Sequence, residues 1–201
     1  MRIKSEKELT DLYGLPGERA KNKELKKLDK HAIHFIETSP FLVLATYNSN
    51  GKMDASPRGG SPGFVKVLNE REIIIPDAKG NNRMDSLKNI VDTGRFGALF
   101  LIPGIDETLR LNGGAFISTD AELLNLFSSE KQVPKSCIVI EVEEVFLHCA
   151  KAFMRSKLWS EEAKLTRSEF PTMGQMLRDQ LGTSGEIENQ AAMVERYRKD
   201  L

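Results

Sequence analysis

The chain has 201 residues, of which 40% are hydrophobic, and its 29 basic and 29 acidic side chains give a formal net charge of zero. This length suits one domain with extensions and is sufficient to bury a core. The balanced charge lacks the cationic excess that drives binding to nucleic acids or anionic membranes, which argues against both partners. No apolar window reaches the length of a signal peptide or a membrane span, so a cytoplasmic protein is expected.

The segment from Lys23 to Thr38 has apolar residues at helical spacing, and Ser39-Pro40 should end that helix. Short β-type segments follow: "FLVLATYN", then "KMDASP" after a turn at 48–51, then "GFVKVL" and "EIIIP" around a charged turn. Three longer strands are predicted from "RFGALFLIPG", "ETLRLNGGAFIST" and "CIVIEVEEVFLHCAKAFM". About six strands with short connections predict an antiparallel sheet, and closing it into a barrel would remove its edges.

Helical segments interrupt or follow the strands in four places. Capping-box spacing over 119–122 precedes "LLNLF" and predicts a short helix before the last strand. A second helix is predicted from Met84 to Val91. The end of the chain reads as two amphipathic helices, Thr172 to Leu181 and Glu186 to Lys199, joined by "GTSG".

Neither the cysteines nor the histidines indicate a metal site. Cys137 and Cys149 lie in apolar, strand-like surroundings without a CxxC pair, so both are predicted to be small buried thiols. His31 and His34 share a predicted helix face, but no carboxylate or cysteine accompanies them at ligand spacing. No bound metal is therefore expected.

The stretch "DAKGNNRMDSLKNI", residues 77–90, joins an apolar strand to a predicted helix. Gly80 permits a tight turn, and the free N–H groups at the start of the helix suit an anion. Arg83 adds a planar donor fork, and Asn81, Asn82 and Ser86 are further neutral donors. The stretch is either a solvated loop before an ordinary helix or a binding site for a phosphate.

A second cluster lies in "DASPRGG", at the end of the second predicted strand. Strand alternation places Asp54, Ser56 and Arg58 on one face. Arg58 is either a charge at the sheet edge or part of a site at the rim of the sheet. If the loop after "EIIIP" converges on the same rim, Arg58 and Arg83 would together form a strong site for a dianion.

Four ordered segments resemble the pyridoxamine 5'-phosphate oxidase-like flavoproteins: "FLVLATYNSNGKMDASPRGG", "IIIPDAKGNNRMDSLKNI", "ETLRLNGGAFIS" and "HCAKAFMRSKLW". The resemblance runs from about Phe41 to Trp159 and is strongest to an FMN-binding branch rather than to the vitamin-metabolising oxidase. It implies a mainly β (α+β) fold, an antiparallel split β-barrel with flanking helices. It also implies FMN as cofactor, and a homodimer whose flavin sites lie at the interface.

The resemblance also implies roles for individual residues. Arg58 matches an arginine that reaches the flavin phosphate, Asn82 and Arg83 match the phosphate-binding loop, and the backbone of Pro76 and Asp77 should lie along the flavin ring.

Two further segments match parts of the family that approach the flavin from other directions. Thr108 and Arg110 fall on the strand that faces the flavin beside the dimer interface. The segment implied to reach the partner subunit's flavin contains Lys151, Arg155, Ser156 and Trp159. The implied active site is therefore shared between two subunits.

Two features depart from the family pattern. Related sequences often have arginine two places after the asparagine of "LRLNGGA", where this chain has Gly114. The oxidase itself ends in a strand with an arginine and a histidine that hold its substrate, whereas this chain ends in helical "EIENQAAMVERYRKDL". The second departure argues against pyridoxamine phosphate oxidation.

The sequence therefore predicts one FMN-binding domain over 1–201, with a helical extension at 1–38, a barrel core at 39–159 and a second helical extension at 160–201. The expected function is FMN-dependent oxidation or reduction of a small molecule, with hydride transfer through flavin N5 and no protein side chain assigned as catalytic. A protein that stores or senses flavin without turnover is the alternative. A barrel that prefers haem or a deazaflavin is a third possibility.

Overall fold

The structure is a computed structural model that describes residues 2–199, so the outermost ends of both predicted extensions lie outside the described residues. Its centre is a seven-stranded antiparallel sheet. The strands are β1 Phe41–Tyr47, β2 Met53–Gly59, β3 Lys66–Asn69, β4 Glu72–Pro76, β5 Arg95–Leu101, β6 Thr108–Ser118 and β7 Cys137–His148.

Helices flank this sheet before, between and after the strands. They are α1 Glu6–Tyr13, α2 Glu18–Asn22, α3 Lys30–Thr38, α4 Asp85–Thr93, α5 Ala121–Asn125, α6 Lys151–Ser156, α7 Met173–Leu181 and α8 Gln190–Arg198. Short 3-10 helices lie at Glu161–Ala163 and Arg167–Glu169. No helix within residues 2–199 combines the length and the apolar character that crossing a membrane requires.

The strands are ordered β2-β1-β5-β6-β7-β4-β3 across the sheet. This order confirms the predicted mainly β, antiparallel fold with flanking helices, and its architecture is that of a split barrel. The expected closure into a complete barrel is wrong, because β2 and β3 are the two ends of the sheet order and do not pair with each other. The sheet therefore keeps two open edges.

The main core lies on one face of the sheet, where alternate residues of the strands are buried, and a second, smaller buried cluster contains Ile74, Phe127, Cys137 and Val139. Leu44 of β1, Phe100 of β5 and Leu111 of β6 have no exposed surface. Ile36 of α3 and Ile90 of α4 are buried in the same cluster. Helix α4 packs on β1 and β6, so the core contacts fix the position of its first turn relative to the sheet.

A β-bulge interrupts the pairing of β6 with β7. The register shifts between Asn112 and Gly113, so that Glu143 of β7 has no partner of its own in the ladder. A Cβ atom at Gly113 would lie 2.0 Å from the Glu141 carbonyl oxygen. Only glycine therefore fits at this point of close backbone approach.

Two predicted elements are wrong in extent. The helix expected from Lys23 begins only at Lys30, because Asp29 caps it by accepting a hydrogen bond from the Ala32 N–H at 2.8 Å. Before that cap, the backbone of Leu25 forms an isolated antiparallel β-bridge with Val145. The last predicted strand, which was expected to include "CAKAFM", ends at His148, and most of that segment forms α6.

The other predicted helices are confirmed with shifted boundaries. Helix α4 begins one residue later than expected and ends two residues later, and α7 begins one residue later than expected, with Thr172 as its N-cap. Helix α5 is capped by Asp120 rather than by Thr119. The prediction of two buried thiols is wrong for Cys149, which is exposed, whereas Cys137 is buried. The difference arises because Cys149 lies just beyond the end of β7.

Candidate functional site

A hydrogen-bonded network joins the end of β2 to the first turn of α4. The Arg58 guanidinium donates from Nη1 to Ser56 Oγ at 2.9 Å and from Nη2 to Ser86 Oγ at 3.2 Å. The two hydroxyl oxygens lie 2.7 Å apart, and Ser86 Oγ donates to Asp54 Oδ2 at 2.6 Å. The structure thus brings Arg58 and Ser86 together, and Asp54, Ser56 and Arg58 share a strand face as alternation predicts.

The Arg58 network is partly withdrawn from water, and charge is balanced within it. Burial lowers the pKa of Arg58, while the carboxylates of Asp77 and Asp54 oppose that shift. Burial likewise raises the pKa of Asp77, and the Arg58 charge opposes that rise. Asp77 directly follows β4, where its N–H donates to the Ser136 carbonyl oxygen at 3.0 Å. Pro76 is the last residue of that strand and pairs with Cys137.

The loop before α4 has an unusual backbone. Asn82 and Met84 adopt left-handed conformations, with φ of 58° and 57°. Gly80 has no left-handed φ, so the expectation that it makes the tight turn is wrong, and the two non-glycine residues provide the change of direction. Met84 is the N-cap of α4 and makes no side-chain capping bond. The first N–H groups of α4 therefore keep the partial positive charge that favours an anion.

Arg83 is more exposed than Arg58. Its side chain is 75% exposed, and Nε pairs with Asp85 Oδ2 at 2.5 Å. The hydrogen bond to Asp85 and that carboxylate's charge raise the pKa of Arg83, and the more distant Asp54 contributes to the rise. Arg83 thus lies beside the same helix terminus as Ser86, but it is held by a surface ion pair rather than by the Arg58 network.

Thr108 and Arg110 lie on β6, which is separated from β2 by β1 and β5 in the sheet. Thr108 is buried and pairs with His148 of β7. Arg110 is exposed, and its guanidinium carbon lies 5.5 Å from the centre of the Phe146 ring. Arg110 points to the face of the sheet opposite the core, because its neighbours Leu109 and Leu111 are buried.

The segment around α6 contacts the loop between β5 and β6. Trp159 stacks on Phe153 with ring centroids 5.5 Å apart, and its Nε1 donates to the Ile105 carbonyl oxygen at 2.9 Å. Ser156 Oγ donates to the Phe153 carbonyl oxygen at 3.1 Å. Lys151 and Arg155 are exposed on α6. Among the hydrogen bonds of residues 2–199, none connects this segment to the Arg58 network within one chain.

The outer face of the sheet, opposite the core, carries apolar side chains. Val43 and Ala45 of β1 and Leu99 of β5 are only partly buried. Tyr47 is 40% exposed and Met53 is 67% exposed at the ends of β1 and β2. Partly exposed apolar side chains grouped on neighbouring strands are characteristic of an interaction surface.

The arginine expected two places after Asn112 is replaced by Gly114, which lies opposite Arg95 of β5. The Arg95 guanidinium makes two 2.8 Å hydrogen bonds to the Glu143 carboxylate. Its charge is already paired on the outer face.

The chain is an open antiparallel split barrel with a polar network at the start of helix α4, and its family can be identified from the sequence. The sequence model of the pyridoxamine 5'-phosphate oxidase family matches residues 28–149, which is more than half of the chain. The chain therefore belongs to the pyridoxamine 5'-phosphate oxidase family. No curated protein matches it significantly.

Several solved structures are similar to this chain. HupZ from Group A Streptococcus matches at 18% identity with a TM-score of 0.50, over 60% of this chain and 93% of HupZ. A proposed pyridoxamine 5'-phosphate oxidase from Lactobacillus delbrueckii matches at 18% identity with a TM-score of 0.48, over 62% of this chain and 98% of that one. An FMN-binding protein from Syntrophomonas wolfei matches at 13% identity with a TM-score of 0.40, over 58% and 80% of the two chains. At these identities only the fold is comparable.

The donor set fits a phosphate monoester. A partly buried guanidinium, a buried serine hydroxyl and a helix start without a side-chain cap converge within the Arg58 network. Asp54 and Ser56 are members of this network that the sequence did not assign to the site. Strand alternation, which places both residues on the same face as Arg58, could have identified them. Asp54 was not an obvious choice, because a carboxylate repels a phosphate.

Proposed function

We propose that the chain binds FMN and is an FMN-dependent oxidoreductase acting on a small molecule. The observation that carries the proposal is the Arg58 network at the start of α4, in a chain that belongs to the pyridoxamine 5'-phosphate oxidase family. When bound, the flavin supplies the redox chemistry through N5.

The residues of the chain would hold and orient the cofactor. Arg58, Arg83 and the first N–H groups of α4 would neutralise the phosphate, with Asn82 and Ser86 as neutral donors. The backbone at Pro76 and Asp77 would lie along the ring. No side chain is assigned as a catalytic acid or base.

The site would be completed by a second copy of the chain. The apolar outer face of the sheet offers a self-complementary surface of the kind that a two-fold dimer uses. Thr108 and Arg110 would approach the flavin beside that interface. The partner subunit would contribute Lys151, Arg155, Ser156 and Trp159, which explains why the α6 segment makes no hydrogen bond to the Arg58 network of its own chain. Residues 1–38 and 160–201 would then be extensions of a single FMN-binding domain.

The first experiment is a visible absorption spectrum of the purified protein, followed by heat release and identification of any chromophore. A flavin spectrum and one FMN released per chain are expected. A colourless protein that fails to take up added FMN would refute the proposal, and a haem or deazaflavin spectrum would replace FMN with that cofactor.

The contribution of the α6 segment can be followed separately, because Trp159 is the only tryptophan in the sequence. FMN binding should quench its fluorescence. Mixed dimers provide the test across the interface. One subunit carries Arg58→Ala and keeps Trp159, and the other carries Trp159→Phe and keeps Arg58, so FMN binds only to the subunit without tryptophan. Quenching should still occur, because the tryptophan comes from the partner subunit. Unchanged fluorescence on FMN binding would remove Trp159 from the site.

The second candidate is a flavin-binding protein without turnover, since nothing in the network demands catalysis. Steady reduction of bound FMN by NADH or NADPH, followed by reoxidation with an acceptor, would establish the enzyme. FMN that exchanges freely but is not reduced by a broad panel of donors would favour storage or sensing.

A further inference from the structure

The Ser86 hydroxyl has a single proton, and its position follows from its partners. Ser86 is 4% exposed, and Oγ lies 2.6 Å from Asp54 Oδ2. An ionised carboxylate accepts hydrogen bonds and has no proton to donate. The Ser86 proton is therefore committed to Asp54.

The remaining hydrogen bonds in the network follow from this assignment. Since Ser86 has no second proton, Ser56 must be the donor across the 2.7 Å contact between the two hydroxyls. Both hydroxyl oxygens then accept from Arg58, at 2.9 Å for Ser56 and 3.2 Å for Ser86. The chain of bonds runs from a guanidinium through two serines to a carboxylate, so Asp54 is one of two carboxylates, with Asp77, whose charge acts on Arg58.

We propose that Asp54 is an internal competitor of the cofactor phosphate. This inference rests on the proposed function, because it assumes that the phosphate of FMN binds at the Arg58 network. A phosphate that accepts a hydrogen bond from Ser86 must compete with Asp54 for the one hydrogen bond that the Ser86 hydroxyl can donate. The phosphate must also pair with the Arg58 guanidinium while the negative charge of Asp54, which repels the phosphate, stays nearby. Asp54 therefore lowers the affinity for the phosphorylated flavin and keeps the cofactor exchangeable.

The competition concerns the phosphate and not the flavin ring, which makes riboflavin the natural comparison ligand. Riboflavin has the same ring system as FMN and lacks the phosphate. Removing the Asp54 charge should therefore strengthen FMN binding and leave riboflavin binding unchanged.

The test compares wild type with Asp54→Asn, Asp54→Ala and a surface control, Asp179→Asn. The asparagine keeps an acceptor oxygen for Ser86 and removes the charge, whereas the alanine also frees the Ser86 proton. The control removes the same charge from an exposed side chain of α7 that pairs with Arg178. Dissociation constants for FMN and riboflavin are measured by flavin fluorescence, and thermal melting of the apo-proteins establishes that each variant is folded.

Both Asp54 variants should lower the FMN Kd by about tenfold, as expected for removing a like charge close to a partly buried anion site. The control and all riboflavin constants should match wild type. An FMN Kd that is unchanged or higher in the folded Asp54→Asn variant would overturn the inference and leave Asp54 a purely structural acceptor. Equal tightening of riboflavin would also overturn it. If neither wild type nor any variant binds FMN, the proposed function falls as well.

Discussion

Arg58→Ala is the most direct perturbation of the site. An arginine side chain has five N–H groups. Three of these are used in contacts to Ser56, Pro57 and Ser86, which leaves two without a protein acceptor among residues 2–199. Two charge-assisted hydrogen bonds of about 1.5–3 kcal/mol each set an upper range for the loss. Because Asp54 and Asp77 already offset part of the charge, we expect about 3 kcal/mol, or roughly a hundredfold higher FMN Kd.

The assay is titration of the apo-protein with FMN and, in parallel, with riboflavin. Arg58→Lys should bind FMN with intermediate affinity, because lysine keeps the charge and loses the planar fork. Arg83→Ala should cost less than Arg58→Ala, since the Arg83 side chain is 75% exposed and paired with Asp85. An Arg58→Ala variant that is folded and binds FMN within twofold of wild type would refute the assignment. Equal weakening of riboflavin would show that the arginine acts on the ring or the fold instead.

Three further predictions concern the interface, the core and pH. Ala45→Arg, in the middle of the outer sheet face, should convert a dimer to a monomer in light scattering; an unchanged mass would locate the interface elsewhere. Phe127→Ala should lower the free energy of unfolding by about 3–5 kcal/mol, because Phe127 has no exposed surface, while Phe170→Ala at 53% exposure should have little effect. Burial raises the pKa of Asp77, so the folded state keeps that proton to higher pH than the unfolded chain, and the contribution of Asp77 to stability falls as pH rises above about 4. Asp77→Asn lacks this contribution, so the difference in melting temperature between the variant and wild type should change with pH, and an identical slope in both proteins would contradict it.

The fold was largely predictable because local patterns and tertiary structure agree. Strand alternation placed Asp54, Ser56 and Arg58 on one face, and the apolar spacing after Met84 gave α4. The predictions are wrong where pairing with a residue far along the chain determines the local conformation. Leu25 continues a helical pattern in the sequence, but its backbone pairs with Val145 of β7, far along the chain.

The site was predictable in its donors and not in its internal arrangement. Arginine, asparagine and serine in a strand-to-helix loop suggest an anion from composition alone. The left-handed conformations of Asn82 and Met84 were not expected, since a methionine rarely adopts positive φ and Gly80 was the obvious candidate. The role of Asp54 as an acceptor for Ser86 depends on a contact between residues 32 positions apart, which no local pattern reports.

The two open edges of the sheet both carry features that oppose the addition of further strands. At one edge β3 has only four residues, and at the other Pro57 removes a backbone donor from β2. Both features oppose the strand-by-strand growth that exposed edges otherwise invite. In the proposed dimer, the contact would then lie on the outer sheet face, where a two-fold pair is closed and leaves no surface for further copies to add to.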